Sequence, residues 1–160
     1  MKLSVVIPVY NEIHTIDSAL TKVAQALPGT PKEIVLVDDG STDGTREWLI
    51  QTFGEINGQG VNISLDSNQR LMVEDGEETY NRHYSKTDVA VSDPAKIAIQ
   101  VIFHKRNQGK GAALRTGFKA ATGEVIVIQD ADLEYDPQDW GRMWRLIEEG
   151  WADVVYGSRF

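Results

Sequence analysis

The residues best suited to chemistry stand in short polar clusters separated by apolar runs. Asp130-Ala131-Asp132 sets two carboxylates two residues apart, and Glu134 follows. Carboxylate oxygens are hard donors, so such a pair can hold Mg²⁺ or Mn²⁺ and leave coordination positions for a diphosphate. With 13 Asp in the chain, composition alone yields about one Asp-x-Asp. The spacing therefore carries weight only through its position. Val125, Ile126, Val127 and Ile128 precede it, which puts the acids where a buried strand meets solvent. The alternative is a solvated acidic turn capping a helix at Pro137.

Asp38-Asp39 also ends an apolar run. A carboxylate there can accept a nucleobase N–H or a ribose hydroxyl, as acids at this edge do in nucleotide-binding sheets. The following Gly40-Ser41-Thr42-Asp43-Gly44 are turn formers in their own right, so turn chemistry alone is the competing account. Tyr10 can stack on a base or pack at a strand end, and Glu12 can serve a ligand or a helix dipole. Asn107-Gln108-Gly109-Lys110-Gly111 offers backbone N–H groups and an ammonium at a helix start, a candidate phosphate cradle. It lacks the spacing of a Walker loop, and no G-x-G-x-x-G follows the first strand. His14, His83 and His104 have no metal-ligand spacing and read as structural or surface residues. Trp140 and Trp144 read as core.

The elements that must position these clusters alternate between strand and helix. Leu3–Val9, 33–37, Ile97–Phe103, 124–129 and 153–156 are short and apolar, as strands covered on both faces should be. Helical spacing links Ile13, Ile16, Leu20, Val23, Ala24 and Leu27, and Pro28-Gly29 stops it. Further helices are expected around Trp48, Leu49 and Phe53, over 112–121, and from Pro137 through Trp140, Met143, Trp144 and Ile147. The alternation predicts βαβ units and an α/β fold with a mainly parallel sheet flanked by helices. Right-handed crossovers then gather the strand C-terminal ends, and the clusters that follow them, at one edge.

Residues 54–96 break this rhythm. The stretch is polar and includes Glu74-Asp75-Gly76-Glu77-Glu78, so it reads as an insertion: a mobile excursion, or a small hairpin containing Leu71-Met72-Val73. Asn62-Ile63-Ser64 matches a glycosylation sequon by chance. The 160-residue chain, with this insertion, is expected to form one domain around one core.

Net charge is −8, from 24 acids against 16 bases, which disfavours nucleic acid as a partner. The absence of cysteine excludes disulfides, thiolate metal sites and a Cys nucleophile. No apolar run approaches the roughly 18 residues that span a bilayer. Met1 leads into a strand-like run rather than a secretory apolar region, so no signal peptide is expected and the cytoplasm is the expected location.

Taken in order, the clusters resemble the family-two glycosyltransferases with a GT-A fold, a Rossmann-like nucleotide-sugar-binding core. The matching stretches are Val6-Ile7-Pro8-Val9-Tyr10-Asn11-Glu12, Val37-Asp38-Asp39-Gly40-Ser41-Thr42-Asp43-Gly44, 107–111, Asp130-Ala131-Asp132-Leu133-Glu134 and Gly157-Ser158-Arg159-Phe160. Within that family, Gln129 to Pro137 is most similar to the polyprenyl-phosphate (dolichyl-phosphate) hexose synthases. The resemblance implies that Pro8, Tyr10, Glu12, Val37 and Asp39 hold the nucleoside of a UDP- or GDP-linked sugar. It implies that Asp130, Ala131 and Asp132 meet Mg²⁺ or Mn²⁺ and the diphosphate, with Asp130 and Asp132 as metal ligands and Glu134 as a further one. Lys110 would join the phosphates, and Arg159 would approach the donor's or the acceptor's phosphate. Asp132 and Arg159 are the expected charge stabilisers. Family members continue beyond the Gly157-Ser158-Arg159 motif, with segments that shape the acceptor site and meet the membrane, so the chain reads as C-terminally short. Peripheral contact with the cytoplasmic face of a membrane is accordingly expected.

The implied reaction is inverting transfer of a hexose to a polyprenyl phosphate. Transfer to a saccharide hydroxyl is the alternative, as is a shortened domain that binds nucleotide sugar without catalysis. A hydroxyl acceptor needs a general base, and none is identifiable, whereas a phosphate monoester is already largely ionised at neutral pH. Two other classes fit less well. A nucleotidyltransferase should carry a Gly-rich basic loop directly after its first strand. A receiver-like signalling domain should end its first strand, not its second, in the acidic pair.

Overall fold

The computed structural model describes residues 1–54, 61–74 and 97–158. Its elements are β1 (Leu3–Val9), α1 (Ile16–Gln25), β2 (Lys32–Asp38), α2 (Thr45–Phe53), β3 (Val61–Leu65), β4 (Leu71–Glu74), β5 (Ile97–Phe103), α3 (Lys110–Ala120), β6 (Val125–Ile128) and α4 (Trp140–Glu148). They build one six-stranded sheet in the order β4-β3-β5-β2-β1-β6. β5, β2, β1 and β6 run parallel, as the alternation predicts. β3 and β4 form an antiparallel hairpin whose β3 lies antiparallel to β5.

Both faces of the central strands β1 and β2 are covered, whereas β6, at the sheet edge, leaves Ile126 and Ile128 43% and 47% exposed, so the expected burial of 124–129 on both faces does not hold. Period-two alternation sends Val5, Ile7 and Val9 of β1 to one side, where they meet Ile16, Leu20 and Val23 of α1, Leu49 and Phe53 of α2, and both Trp140 and Trp144 of α4. Each of these fully buried aliphatic side chains contributes about 1.5–3 kcal/mol through removal from water. Val6, Val35 and Val37 face the other side and pack on Ala113 of α3. That contact is very close: a Cβ on Gly117 would lie 2.4 Å from Val6 Cγ1.

Helix ends are handled locally. Five apolar residues of α1 (Ile16, Ala19, Leu20, Val23, Ala24) share its buried face. Beyond its last turn, Leu27 and Gly29 adopt positive φ, 48° and 81°, and reverse the chain. Lys32 then inserts its ammonium among the last α1 carbonyls, those of Val23, Ala24 and Ala26. Burial there pushes its pKa down to about 8. Pro137 begins a 3-10 turn over Pro137–Asp139, capped by the Asp136 side chain, which runs directly into α4.

The hairpin reading of Leu71-Met72-Val73 holds and is extended, and one other expectation needs correction. The 54–96 segment holds more regular structure than its composition implies. Leu71–Glu74 does form the hairpin's second strand, and Val61–Leu65, polar at Asn62 and Ser64, forms its first. The remainder of that segment lies outside the described residues. Conversely, residues 153–156 form no strand. Val154 and Tyr156 are 64% and 89% exposed, and no described strand lies alongside to supply the ladder that would satisfy their backbone. No helix among the described residues is long and apolar enough to cross a membrane.

Candidate functional site

The parallel strands end in register. Val9 pairs with Asp38, and Asp38 pairs with Phe103. The backbone ladder continues one residue further, through Asp39 N to Val9 O (2.8 Å) and His104 N to Asp38 O (2.8 Å). The loops after β1, β2, β5 and β6 therefore open onto a common cleft of about 270 Å³. This lies just below the range of about 300–1,000 Å³ typical of small-molecule sites.

Of the expected site residues, Pro8, Tyr10, Glu12, Asp39, Lys110, Asp130, Ala131 and Asp132 all line this cleft, together with Val9, Asn107 and Ala113. Val37 does not. It is buried beneath α3, because the alternation that aims its neighbour Asp38 to one face of the sheet aims Val37 to the other. Glu134 is exposed on the Asp132 turn but is not part of the cleft wall. Arg159, like His83, lies outside the described residues.

The acids at the strand ends divide sharply by environment. Asp38 is fully buried and paired with Arg46 of α2, whose Nε lies 2.7 Å from Oδ2. The same guanidinium donates to the His104 carbonyl and lies over the Phe103 ring at 5.3 Å. Asp39 is 3% exposed, and both its oxygens are engaged. It accepts from Gln108 N (3.0 and 3.1 Å), Gly109 N (2.8 Å) and His104 Nδ1 (2.7 Å). A carboxylate only accepts, so Nδ1 carries the proton, and His104 Nε2 meets Thr116 Oγ1 of α3 at 2.9 Å. Asp39 is thus the anchor of the Asn107–Lys110 loop as well as a wall of the cleft.

The first two loops are stitched to each other in the same way. Asn11, at φ 58°, accepts from Thr42 N (2.8 Å) and donates its own N–H to Ser41 Oγ (2.9 Å). Glu12 N donates to Thr45 Oγ1 (2.9 Å), while the Glu12 carboxylate accepts from Thr15 (2.6 Å). Burial works against ionisation of Asp43, but hydrogen bonds from Thr45 and from Ile13 N outweigh it and hold its carboxyl below the ordinary range. Gly40 permits the second and third loops to touch: a Cβ there would lie 2.6 Å from Arg106 C and Asn107 N, and its φ is +80°.

Asp130 and Asp132 are held far less firmly. Among the described residues, Asp130 Oδ2 has one partner, Lys110 Nζ, at 2.7 Å. Asp132 is exposed, and its Oδ1 accepts the Glu134 N–H of its own turn at 3.0 Å. Leu133, which follows Asp132, adopts φ 65°, an uncommon conformation for a branched residue, and turns the chain directly after the acidic pair. The donors are all hard oxygen, the class that suits Mg²⁺ and Mn²⁺, and one of them already carries an ammonium. No group of three acidic or imidazole ligands occurs among the described residues, so a cation here would take further ligands from a bound phosphate or water.

Sequence reasoning missed Arg46, and it read His104 as structural or surface without finding its partners Asp39 and Thr116. Arg46 reaches back eight residues to Asp38, and His104 meets an acid 65 residues away. Neither distance follows any local spacing rule.

The chain is similar to known proteins in sequence and in fold. A dolichol-phosphate mannosyltransferase of Pyrococcus furiosus is 29% identical over 160 residues, all of this chain and 34% of that one. An undecaprenyl-phosphate 4-deoxy-4-formamido-L-arabinose transferase of Pectobacterium carotovorum is 32% identical over 155 residues, 96% of this chain and 35% of that one. The chain thus spans about a third of the length of these curated relatives. Among solved structures, S. aureus TarS 1-349 matches all of this chain and 38% of its own with a TM-score of 0.60 at 22% identity, which shows a shared GT-A fold. The sequence profile of glycosyl transferase family 2 matches residues 4–71 and 73–160, almost the entire chain, which therefore belongs to that family.

Proposed function

We propose that this chain is the donor-binding domain, with an insertion at 54–96, of a metal-dependent glycosyltransferase. It would transfer a hexose from a nucleoside diphosphate sugar to a polyprenyl phosphate with inversion. The observation that carries this reading is the convergence of Glu12, Asp39, Lys110, Asp130 and Asp132 from four different strand ends on one cleft.

In this reading Pro8, Tyr10, Glu12 and Asp39 surround the nucleoside of a UDP- or GDP-linked sugar. Lys110 meets the diphosphate, and Arg159 approaches the donor's or acceptor's phosphate. Asp130 and Asp132 hold Mg²⁺ or Mn²⁺. Such a cation offsets the charge that develops on the leaving diphosphate. The protein's own contribution is placement: the Asp39-anchored loop fixes the Lys110 backbone, and the strand ends fix the acids. An oxygen of the acceptor phosphate attacks the anomeric carbon as the bond from that carbon to the diphosphate oxygen breaks. The nucleoside diphosphate departs with the bonding pair. The acceptor, with a second pKa near 6, is already ionised, so no base is required.

The acceptor class is supported by both curated relatives, whose names specify dolichol phosphate and undecaprenyl phosphate. Such an acceptor is embedded in a bilayer, so the protein would work in peripheral contact with the cytoplasmic face of a membrane.

A thermal-shift panel of UDP and GDP, with and without Mn²⁺, tests the reading. One diphosphate should raise the Tm by several degrees in the presence of Mn²⁺, as saturating ligand stabilises by about 2–3 kcal/mol. The shift should vanish in Asp132→Ala. Absence of a shift with every nucleotide, with or without metal, would overturn it.

A further inference from the structure

The carboxylate assigned above to a divalent cation already holds a cation that belongs to the chain. Lys110 Nζ sits 2.7 Å from Asp130 Oδ2, and both side chains line the same cleft. We propose that Lys110 competes with the divalent cation for Asp130, and that a nucleoside diphosphate relieves the competition by drawing the ammonium onto its phosphates. Metal and nucleotide would then bind cooperatively. This rests on the metal-and-diphosphate reading and adds to it the order in which charges are exchanged.

Three features support the exchange. The backbone at Lys110 is fixed while its side chain is free to swing: Gln108 N and Gly109 N are pinned by Asp39, and Ala112 N and Ala113 N bond back to Gly109 O. The ammonium lies on the open side, with the Lys110 side chain 57% exposed and that of Asp130 only 21%. A four-carbon stem lets Lys110 reach either Asp130 or a phosphate in the cleft without moving α3. Finally, an ammonium and a divalent ion on one carboxylate repel each other, so the ion binds Asp130 fully only once the ammonium leaves. Asp132, whose Oδ1 is engaged by the Glu134 N–H, does not offset that loss alone.

Coupling of this kind is reciprocal, so each ligand raises the affinity for the other by the same factor. Titration of free Mn²⁺ by electron paramagnetic resonance, with and without the diphosphate that gives the thermal shift, measures that factor directly. Without nucleotide, Lys110→Ala should bind Mn²⁺ about tenfold more tightly than the wild type, and the nucleotide-induced gain in Mn²⁺ affinity should shrink by about tenfold. Lys110→Arg, which keeps a cation on Asp130, should retain the weak nucleotide-free affinity. Lys105→Ala removes an equal charge from the same loop but outside the cleft, and should leave Mn²⁺ binding unchanged. Equal nucleotide-free affinities of wild type and Lys110→Ala, or an equal gain in Lys105→Ala, overturn the competition even if the thermal shifts stand. Failure of every variant to bind Mn²⁺ overturns it together with the metal-site reading.

Discussion

At the edge where the parallel strands begin, Glu33 accepts four hydrogen bonds, from Lys2 Nζ (2.5 Å), Ser4 Oγ (2.5 Å), Thr122 N (2.6 Å) and Thr122 Oγ1 (2.8 Å). At the edge where they end, Asp132 stands exposed, and among the described residues a single N–H, from its own turn, reaches it. Both are acids in the same sheet, yet they are built for opposite ends. Glu33 ties β1, β2 and the α3–β6 connection into one knot and offers no lone pair to a newcomer. Burial alone would raise its pKa, but Lys2, Ser4 and Thr122 outweigh that and hold it at about 2. Asp132 gives up stabilising contacts: its Oδ1 takes only the Glu134 N–H, and among the described residues its Oδ2 has no partner. Asp39 lies between them: it lines the cleft, but its carboxylate is filled by His104 and two loop amides. Burial and full hydrogen bonding mark an acid that holds the fold. Exposure with a single exchangeable partner marks one that can receive a ligand.

Breaking the contrast at its open end should have the largest effect. Asp132→Ala is expected to weaken Mn²⁺-dependent nucleoside diphosphate binding about 100-fold by calorimetry, equivalent to about 2.7 kcal/mol. Its unfolding free energy in urea should stay within about 0.5 kcal/mol of the wild type. Glu33→Gln should do the reverse, losing about 2 kcal/mol of stability while nucleotide affinity is unchanged. The folded protein binds fewer protons at Glu33 than the unfolded chain does, because the folded pKa is about 2 against an ordinary 4.5. The stabilisation is therefore complete above pH 4.5 and is lost as the pH falls from 4.5 toward 2. The stability gap between wild type and Glu33→Gln should accordingly narrow in urea melts run at pH 3. Asp39→Asn sharpens the comparison, since an amide cannot accept all of its current donors. A loss of about 1.5 kcal/mol in stability is expected, accompanied by about tenfold weaker nucleotide binding as the Lys110 loop loosens. A change in only one of the two readouts would show that anchoring and binding are separable at this residue. The smallest effect belongs to Lys22→Ala at the exposed 3.6 Å pair with Asp136, where stability should move by less than about 0.5 kcal/mol.

Much of the site could be read from the chain because its central strands, β1 and β2, are buried on both faces. Leu3–Val9 and Ile97–Phe103 begin and end where apolar β-branched runs do, and the clusters that follow β1, β2 and β6 meet because parallel strands must end together. Where burial is one-sided, the signal fades. β3 commits only Ile63 fully to the core, so Asn62 and Ser64 made it resemble a polar loop. Residues 153–156 have the composition of a strand but lie beside none. Val37 sits one residue before a cleft loop yet points away from it, which adjacency in sequence conceals. His104 and Arg46 owe their importance to partners that only the folded sheet brings near.

The bare backbone at Gly40 has a mechanical corollary. With no side chain between them, the loop after β2 rests directly on the Arg106–Asn107 peptide, and Asn11 clasps the same loop from the β1 side. Three jaws of the cleft are thereby welded into a single rigid body. Any ligand that shifts one of them has to carry all three, so accommodation falls to the fourth jaw, the strained Asp130–Glu134 bend.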